Sequence, residues 1–344
     1  MNAKSSDIYN EYKRLTGKKT AFIILLFILL LFTAIVGISK GALSIGMFDS
    51  IKAIFKDLGT AHAIVWKLRL PRVIMAILVG GGLGFAGTVF QAVLKNPLAS
   101  PYTLGIASGA GFGAVVAILF AGEIAGEYLV PGSAFFFALI SSFFILGISG
   151  LKGPSSETMI LAGIATMFLF SSLTSFFQYT GTMEQVHEIV FWFFGSLSRA
   201  GWKEIGLAGV MTLLPFPFIM KMSWDFNLLS AGDEAAKALG VNVRRIKITS
   251  IILASLITAG VICFTGIIGF IGLVAPHICR MLIGNDHRFL LPASAITGAV
   301  VVLAADTIGR TLWAPQVIPI GIMTSFIGVP FFFYLLMKKT RKYW

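Results

Sequence analysis

Residues 248–279 read ITSIILASLITAGVICFTGIIGFIGLVAPHIC, 32 positions without an Asp, Glu, Lys or Arg. As one α-helix at 1.5 Å per residue this run is about 48 Å long, whereas the hydrocarbon core of a bilayer is about 30 Å thick. It is too long for one crossing and too apolar for the surface of a soluble domain. Its second half, TGIIGFIGLVAPH, is dense in Gly and contains Pro276. The run therefore divides into a full span over about 246–266 and a shorter one over about 271–283.

Outward from this stretch the same pattern repeats. Ala21–Ile38, Val73–Leu94, Pro97–Gly122, Tyr128–Leu151, Thr158–Met183, Ile205–Met220, Phe289–Ala305 and Thr311–Met337 are all free of charge. With the divided run they predict ten spans. Ile189–Ser198 (IVFWFFGSLS) is too short to cross and reads as a re-entrant or interfacial helix. The chain of 344 residues is 57% hydrophobic and 12% charged, with a mean hydropathy of +0.89. A soluble domain carries about a quarter charged residues. Only bilayer-facing helices accommodate this composition, so the fold class is all-α and polytopic, about ten transmembrane helices in a single domain over 1–344. The start, with Lys4, Lys13, Arg14, Lys18 and Lys19, resembles a signal peptide. Its apolar run is too long for one and no A-x-A site follows, so it reads as a retained first helix.

Charge placement gives an orientation. With the N-terminal segment 1–20 in the cytoplasm, the inner segments hold 18 of the 27 basic residues, including the tail Lys338, Lys339, Arg341 and Lys342. Glu123, Glu127, Glu184 and Glu188 fall outside. The pattern obeys the positive-inside rule, and a basic tail inside requires an even number of spans. Both termini are thus expected in the cytoplasm of a multi-pass protein of the cell membrane. The net charge of +12 is spent on topology and does not point to nucleic acid. Small residues recur at close-approach spacing in Gly105, Gly109, Gly113 and in Ala76, Gly80, Gly84. A Gly-rich helix followed by a Pro-broken short helix occurs near 80–110 and again near 260–283, entering from opposite sides. That is the signature of an inverted repeat.

The longest inner connection, SWDFNLLSAGDEAAKALGVNVRRIK over 223–247, carries helix signals. Ser230 or Asp233 is placed to cap a short helix that Gly240 closes in the left-handed conformation. Leu228, Leu229, Ala235, Ala238 and Leu239 give it an apolar face. So short a helix is unstable alone in water and must pack on something, either its own bundle or a soluble partner.

Glu234, Ala235, Ala236 and, three residues on, Gly240 resemble the EAA-x-x-x-G signature of binding-protein-dependent ABC permeases. The stretch WKLRLPRVIMAILVGGGLGFAGTVFQAVLKNPLASPYTLGIASGAG resembles the second and third helices of the permeases of iron-siderophore, haem and cobalamin importers, the FecCD type. FTGIIGFIGLVAPHICRMLIGNDHRFLLP, ADTIGR and IPIGIMTSFIGVPFF are similar to their later helices. The likeness runs from about residue 60 to 337. It implies an importer permease driven by two copies of a cytoplasmic ABC ATPase. It further implies an extracytoplasmic substrate-binding protein and a second permease subunit, identical or not, all in membrane lipid. In such a protein 223–247 is the segment that couples to the ATPase, through Asp233, Glu234, Ala235, Ala236, Leu239 and Gly240.

No G-x-x-x-x-G-K-[ST] motif is present, and GGGLGFAG lacks the lysine, so the energy source is another subunit or an ion gradient. Arg69 and Arg72 flank Pro71 at the outer start of the second helix, and Arg310 lies at the outer end of the ninth. Interfacial anchoring accounts for such residues, and Asp306 offers Arg310 a pair at i,i+4. The resemblance implies instead that these three arginines receive carboxylates of the binding protein, a task the guanidinium fork suits. It also places Asn96, Leu98, Ser155 and Ser156 at the cytoplasmic gate, although as bare residues they are ordinary turn formers. The fifth helix carries Ser171, Ser172, Thr174, Ser175, Gln178 and Tyr179, fit for a mildly polar path or for hydroxyls bonding back to the backbone. The four histidines have no metal-ligand spacing, Cys263 and Cys279 read as reduced core thiols, and no cofactor or catalytic residue is expected. A gradient-driven secondary transporter is the alternative, disfavoured because the spans hold no paired carboxylates. An intramembrane enzyme lacks any acid–base cluster.

Overall fold

The computed structural model describes the chain except residues 1, 2, 42, 44, 122–125, 154 and 338–344, and except the side chains of residues 3–9, 121, 152 and 336. Glu123 and the basic tail 338–342 lie outside the described residues, as do the side chains of Lys4 and Lys152. The described residues form sixteen helices and no strand. α1 (Ala3–Ser39) is followed by two short helices, α2 (Met47–Phe55) and α3 (Thr60–Ile64). A wide π-helical turn, Val65–Arg69, then leads into α4 (Leu70–Leu94). Next come α5 (Ile106–Ala121), α6 (Leu129–Lys152), α7 (Ser156–Thr180) and the short α8 (Met183–Phe194). α9 (Trp202–Leu213) and α10 (Phe216–Lys221) make one crossing, interrupted at Leu214 and Pro215. α11 (Ser223–Leu229) and α12 (Asp233–Ala238) form the polar connection. α13 (Val243–Thr265), α14 (Ile271–Ile283), α15 (His287–Thr311) and α16 (Ile320–Met337) complete the described chain.

Seven stretches are long and apolar enough to cross a membrane, and three shorter apolar helices, Ile106–Phe120, Ile271–Ile283 and Ile320–Leu335, join them. Among the described residues these ten apolar stretches lie within or across the charge-free runs, and 248–279 is divided as expected. α13 ends where Gly266 takes a positive φ of 71°, and α14 begins after Phe270, also at positive φ. The breaks differ from expectation at two other runs. Residues 97–105 are turns, so the third span begins only at Ile106, and residues 312–319 precede the last span without helix. Pro97, Pro101, Pro315 and Pro319 remove backbone donors from those stretches. α8 starts earlier than the charge-free run because Thr182 and Gln185 form a reciprocal capping box, drawing Glu184 and Glu188 into the helix. At twelve residues α8 is about 18 Å long, too short to cross.

α4 is the hub, buried over most of its length and packed against α13, α14 and α15. Its small residues explain how backbones approach so closely. A Cβ on Gly80 would collide with the Gly298 carbonyl, and one on Gly298 with the Gly80 carbonyl. Gly109 and Gly113 face the α6 backbone in the same way, at Phe137 and Ser133. The repeated pattern of long helix, broken connection and short helix is present twice. α4 leads to α5, which packs on α6, and α13 leads to α14, which packs on α15.

Candidate functional site

The polar side chains gather at the two ends of the bundle. At one end, α1 finishes against α4 and α15. Arg69, 5% exposed, donates from Nη1 to the Ile38 and Ser39 carbonyls at 2.9 and 2.7 Å, and from Nη2 to the Leu43 carbonyl. Arg310, equally buried, donates to the Gly37 and Lys40 carbonyls at 2.9 and 3.1 Å. These carbonyls belong to the last turn of α1 and the residues after it, where backbone acceptors lack helical partners and carry partial negative charge. Two guanidinium groups therefore cap the C-terminus of α1. Arg72 turns its fork on Asp306, with Nε and Nη2 at 3.0 and 2.9 Å from Oδ1, and Nη1 reaches Ser198 at 2.9 Å. Arg310 Nε lies 2.9 Å from the other Asp306 oxygen.

The i,i+4 pair visible in the sequence is thus formed, and a second arginine reaches the same carboxylate. A cleft of about 340 Å³ opens over this network, lined by Leu43, Lys67, Arg69, Arg72, Ser198 and Arg310. All three arginines face inward with partners inside the chain. This is neither the snorkelling geometry of interfacial anchors nor a set of free guanidinium groups.

At the opposite end α12 is pinned by its first residue. Asp233 meets the Lys247 ammonium of α13 at 2.6 Å and that of Lys95, just past α4, at 3.0 Å. Burial alone would raise the Asp233 carboxyl, but the two ammonium groups outweigh it and hold the group below its ordinary value. Ala236 is fully buried against the bundle, whereas Glu234, Ala235, Ala238 and Leu239 are exposed, Leu239 at 65%. Glu234 and Lys237 make an exposed pair at 2.8 Å. Gly240 closes the helix with φ +88° and its N–H on the Lys237 carbonyl at 2.9 Å, as expected.

The expected cap is corrected. Gly232 occupies the N-cap, Asp233 lies inside the first turn, and the Ser230 hydroxyl donates to the Phe226 carbonyl. The apolar residues also divide. Leu229 is buried and Leu228 half-buried against the bundle, while Ala235, Ala238 and Leu239 look outward. The segment therefore packs on its own bundle with one face and leaves the other exposed.

The inner turns lie at the same end. Asn96 closes a turn by accepting from the Leu98 N–H at 2.9 Å, and Leu98 is 58% exposed. Ser155 caps α7 by accepting from the Thr158 N–H at 3.1 Å, and Ser156 begins that helix half-buried. A further clasp ties α11 to α15. Asn227 donates to Asp286 at 3.0 Å and accepts from the His287 N–H at 2.8 Å. Asp286 also holds Arg288 at 2.7 Å, and Lys19 of α1 lies 3.6 Å away. Burial of Asp286 acts upward, yet the bonds from Arg288 and Asn227 keep its carboxyl well below the usual range.

Sequence reasoning counted Lys95 and Lys247 only as inner charges and passed over Asn227 and Asp286. A signal existed for Lys247. It falls in register with Val243, Ser250, Ile251 and Ala254, all on the buried stripe of α13.

A cavity of about 530 Å³ opens between the two broken connections, lined by Ser100, Tyr102, Phe193, Ile267, Phe270 and Phe326 among others. On α7, Ser171, Ser172, Ser175 and Tyr179 are exposed, and the Ser175 hydroxyl bonds back to the Ser171 carbonyl at 3.0 Å. Cys263 and Cys279 are buried and free, and the His277 ring packs edge-on against Phe331.

A ten-span bundle with a small helix held at one face by charge is the architecture of a membrane permease. The FecCD transport family matches residues 27–338, and the chain belongs to that family. It is 38% identical to the Fe(3+)-citrate import system permease protein of Bacillus subtilis, over 93% of this chain and 96% of that one. It is 36% identical to the hemin transport system permease protein of Yersinia pestis, over 92% and 95%. A solved inward-facing structure, assigned to the metal-chelate type of ABC transporter, superposes with a TM-score of 0.84 at 32% identity. That likeness covers 93% of this chain and 99% of the other. The chain is a permease subunit of the ABC importer type.

Proposed function

We propose that this permease carries a ferric chelate inward across the cell membrane, paired with a second permease subunit and driven by two copies of a separate ATPase. The Asp233 end then faces the cytoplasm, as the charge count requires. The observation that carries the reading is the divided character of α12. One face is anchored by Ala236 and Asp233, while Glu234, Ala235 and Leu239 stand free on the other. A helix of six residues gains nothing for its own fold by exposing Leu239, so the exposed face is the part offered to the ATPase. The inner turns at Asn96, Leu98, Ser155 and Ser156 are proposed as the gate, and the cavity beside the broken connections as part of the path wall. Its mixed aromatic and hydroxyl lining suits a bulky chelate that must slide without being held.

At the Arg69 end we propose docking of a substrate-binding protein through carboxylates aimed at the cleft, which carries Lys67, Arg69, Arg72 and Arg310 against Asp306. Iron leads as cargo because import of Fe(3+)-citrate and transport of hemin are the tasks named for the two relatives.

Leu239→Glu puts a charge at the centre of the proposed ATPase contact without touching the bundle. Its co-purification with the ATPase is expected to fall at least tenfold while the permease elutes as an intact monodisperse particle. Retention of the wild-type ATPase yield would refute the coupling assignment.

A further inference from the structure

The polar node beneath α12 joins more than two elements. Asp233 holds Lys247, whose side chain is 0% exposed at the start of α13, and Lys95, whose side chain is 35% exposed just past the end of α4. Lys95 takes the left-handed conformation with φ 49° and is followed directly by the Asn96 turn. One cluster of three charges therefore bridges α12, the α4–α5 connection and the head of α13.

Apolar contacts between α12 and the bundle slide at small cost, and Ala236 is a single methyl. A short charge-assisted bond to a fully buried ammonium resists sliding, because stretching it weakens an attraction between opposite charges that water screens poorly. Displacement of α12 therefore pulls on α13 through Lys247, and the more exposed bond to Lys95 ties it to the α4–α5 connection.

We propose that the Asp233 node is the linkage by which movement of α12 reaches the membrane helices, with Lys95 as the positioning residue for the α4–α5 connection. The inference rests on the coupling role assigned above to α12. Lys95 is the arm to test, since its partial exposure lets the fold tolerate its loss while Lys247 keeps Asp233 in place.

The experiment follows hydrogen exchange in the permease–ATPase complex in lipid nanodiscs, with and without ATP plus vanadate, so that no transported ligand is needed. In the wild type, trapping is expected to alter exchange both at 233–240 and at 96–105. In Lys95→Met the response at 233–240 persists and that at 96–105 falls at least threefold, while Lys95→Arg restores it. An unchanged response at 96–105 in Lys95→Met overturns the linkage and leaves the coupling role intact. If residues 233–240 of the wild type gain no protection when the ATPase is added, the coupling role fails, and the linkage with it. A purely structural role for Lys95 would lower the melting temperature of Lys95→Met and leave both responses in proportion, which also overturns the proposal.

Discussion

Asp306→Asn is expected to be the most damaging single substitution, costing about 3–5 kcal/mol, the usual price of breaking a buried ion pair from one side. The side chain of Asp306 is 1% exposed and lies between Arg72 and Arg310, whose side chains are 13% and 8% exposed. Asparagine keeps the shape and removes the charge, so the loss is electrostatic. It leaves two guanidinium groups close together, with Arg69 nearby, in a site that water reaches poorly. Arg310 then has only the α1 carbonyls and Thr307 to satisfy it. The capping of α1 weakens, and its end should separate from α4 and α15. Unfolding in mixed micelles of increasing detergent strength measures the cost, and Glu234→Gln is the control. The Glu234–Lys237 pair is exposed, and its loss should leave stability essentially unchanged. Equal stability of the two variants would show that the Asp306 network is not a structural clamp.

The second large effect is expected at Asp233. Asp233→Asn removes the carboxylate that faces the buried Lys247 and should destabilise the protein by about 3 kcal/mol at neutral pH. Asp233→Leu combined with Lys247→Met should recover most of that loss, because a buried ion pair and an apolar pair of similar volume are often equivalent. The pH dependence has a defined sign. The folded carboxyl lies below its ordinary value, so its contribution is fully present above about pH 4 and fades as the pH falls through the lower folded value. The Asn variant has no such contribution to lose. The difference between the two stability curves should therefore be constant near neutrality and shrink in acid. Curves that stayed parallel into acid would assign the stability to packing at Ala236 rather than to the ion pairs.

The legible and illegible parts of this fold separate along one physical line. Run length, Gly and Pro placement and local pairs depend on neighbours in the chain, and they place the ten spans, the Gly240 closure and the Arg310–Asp306 pair. Contacts across the fold leave fainter marks. Nothing near Arg72 in sequence announces that Asp306 lies beneath it, 234 positions away. The sequence therefore offers Arg310 its local pair but not the bonds of Arg72 to Asp306 or of Arg69 to the end of α1. Gly80 reads as a close-approach residue, but nothing near it in sequence names Gly298, although each is required by the carbonyl of the other. Lys247 shows the limit most plainly. As a bare charge it serves only a count of basic residues, while its place on the buried stripe of α13 marks the residue that holds α12. In α12 the Glu234–Gly240 pattern was readable, but which residues face the bundle depends on Asp233 bonding to lysines on two other elements.

The central claim is that this permease moves cargo only through a separate ATPase acting on α12. The most direct measurement is uptake of radiolabelled ferric citrate and ferric siderophores into liposomes holding the permease and its ATPase, with the binding protein outside. Uptake is predicted to require ATP on the ATPase side, to survive ionophores, and to be lost in Leu239→Glu. Uptake that persists without the ATPase and collapses with an ionophore would contradict the account.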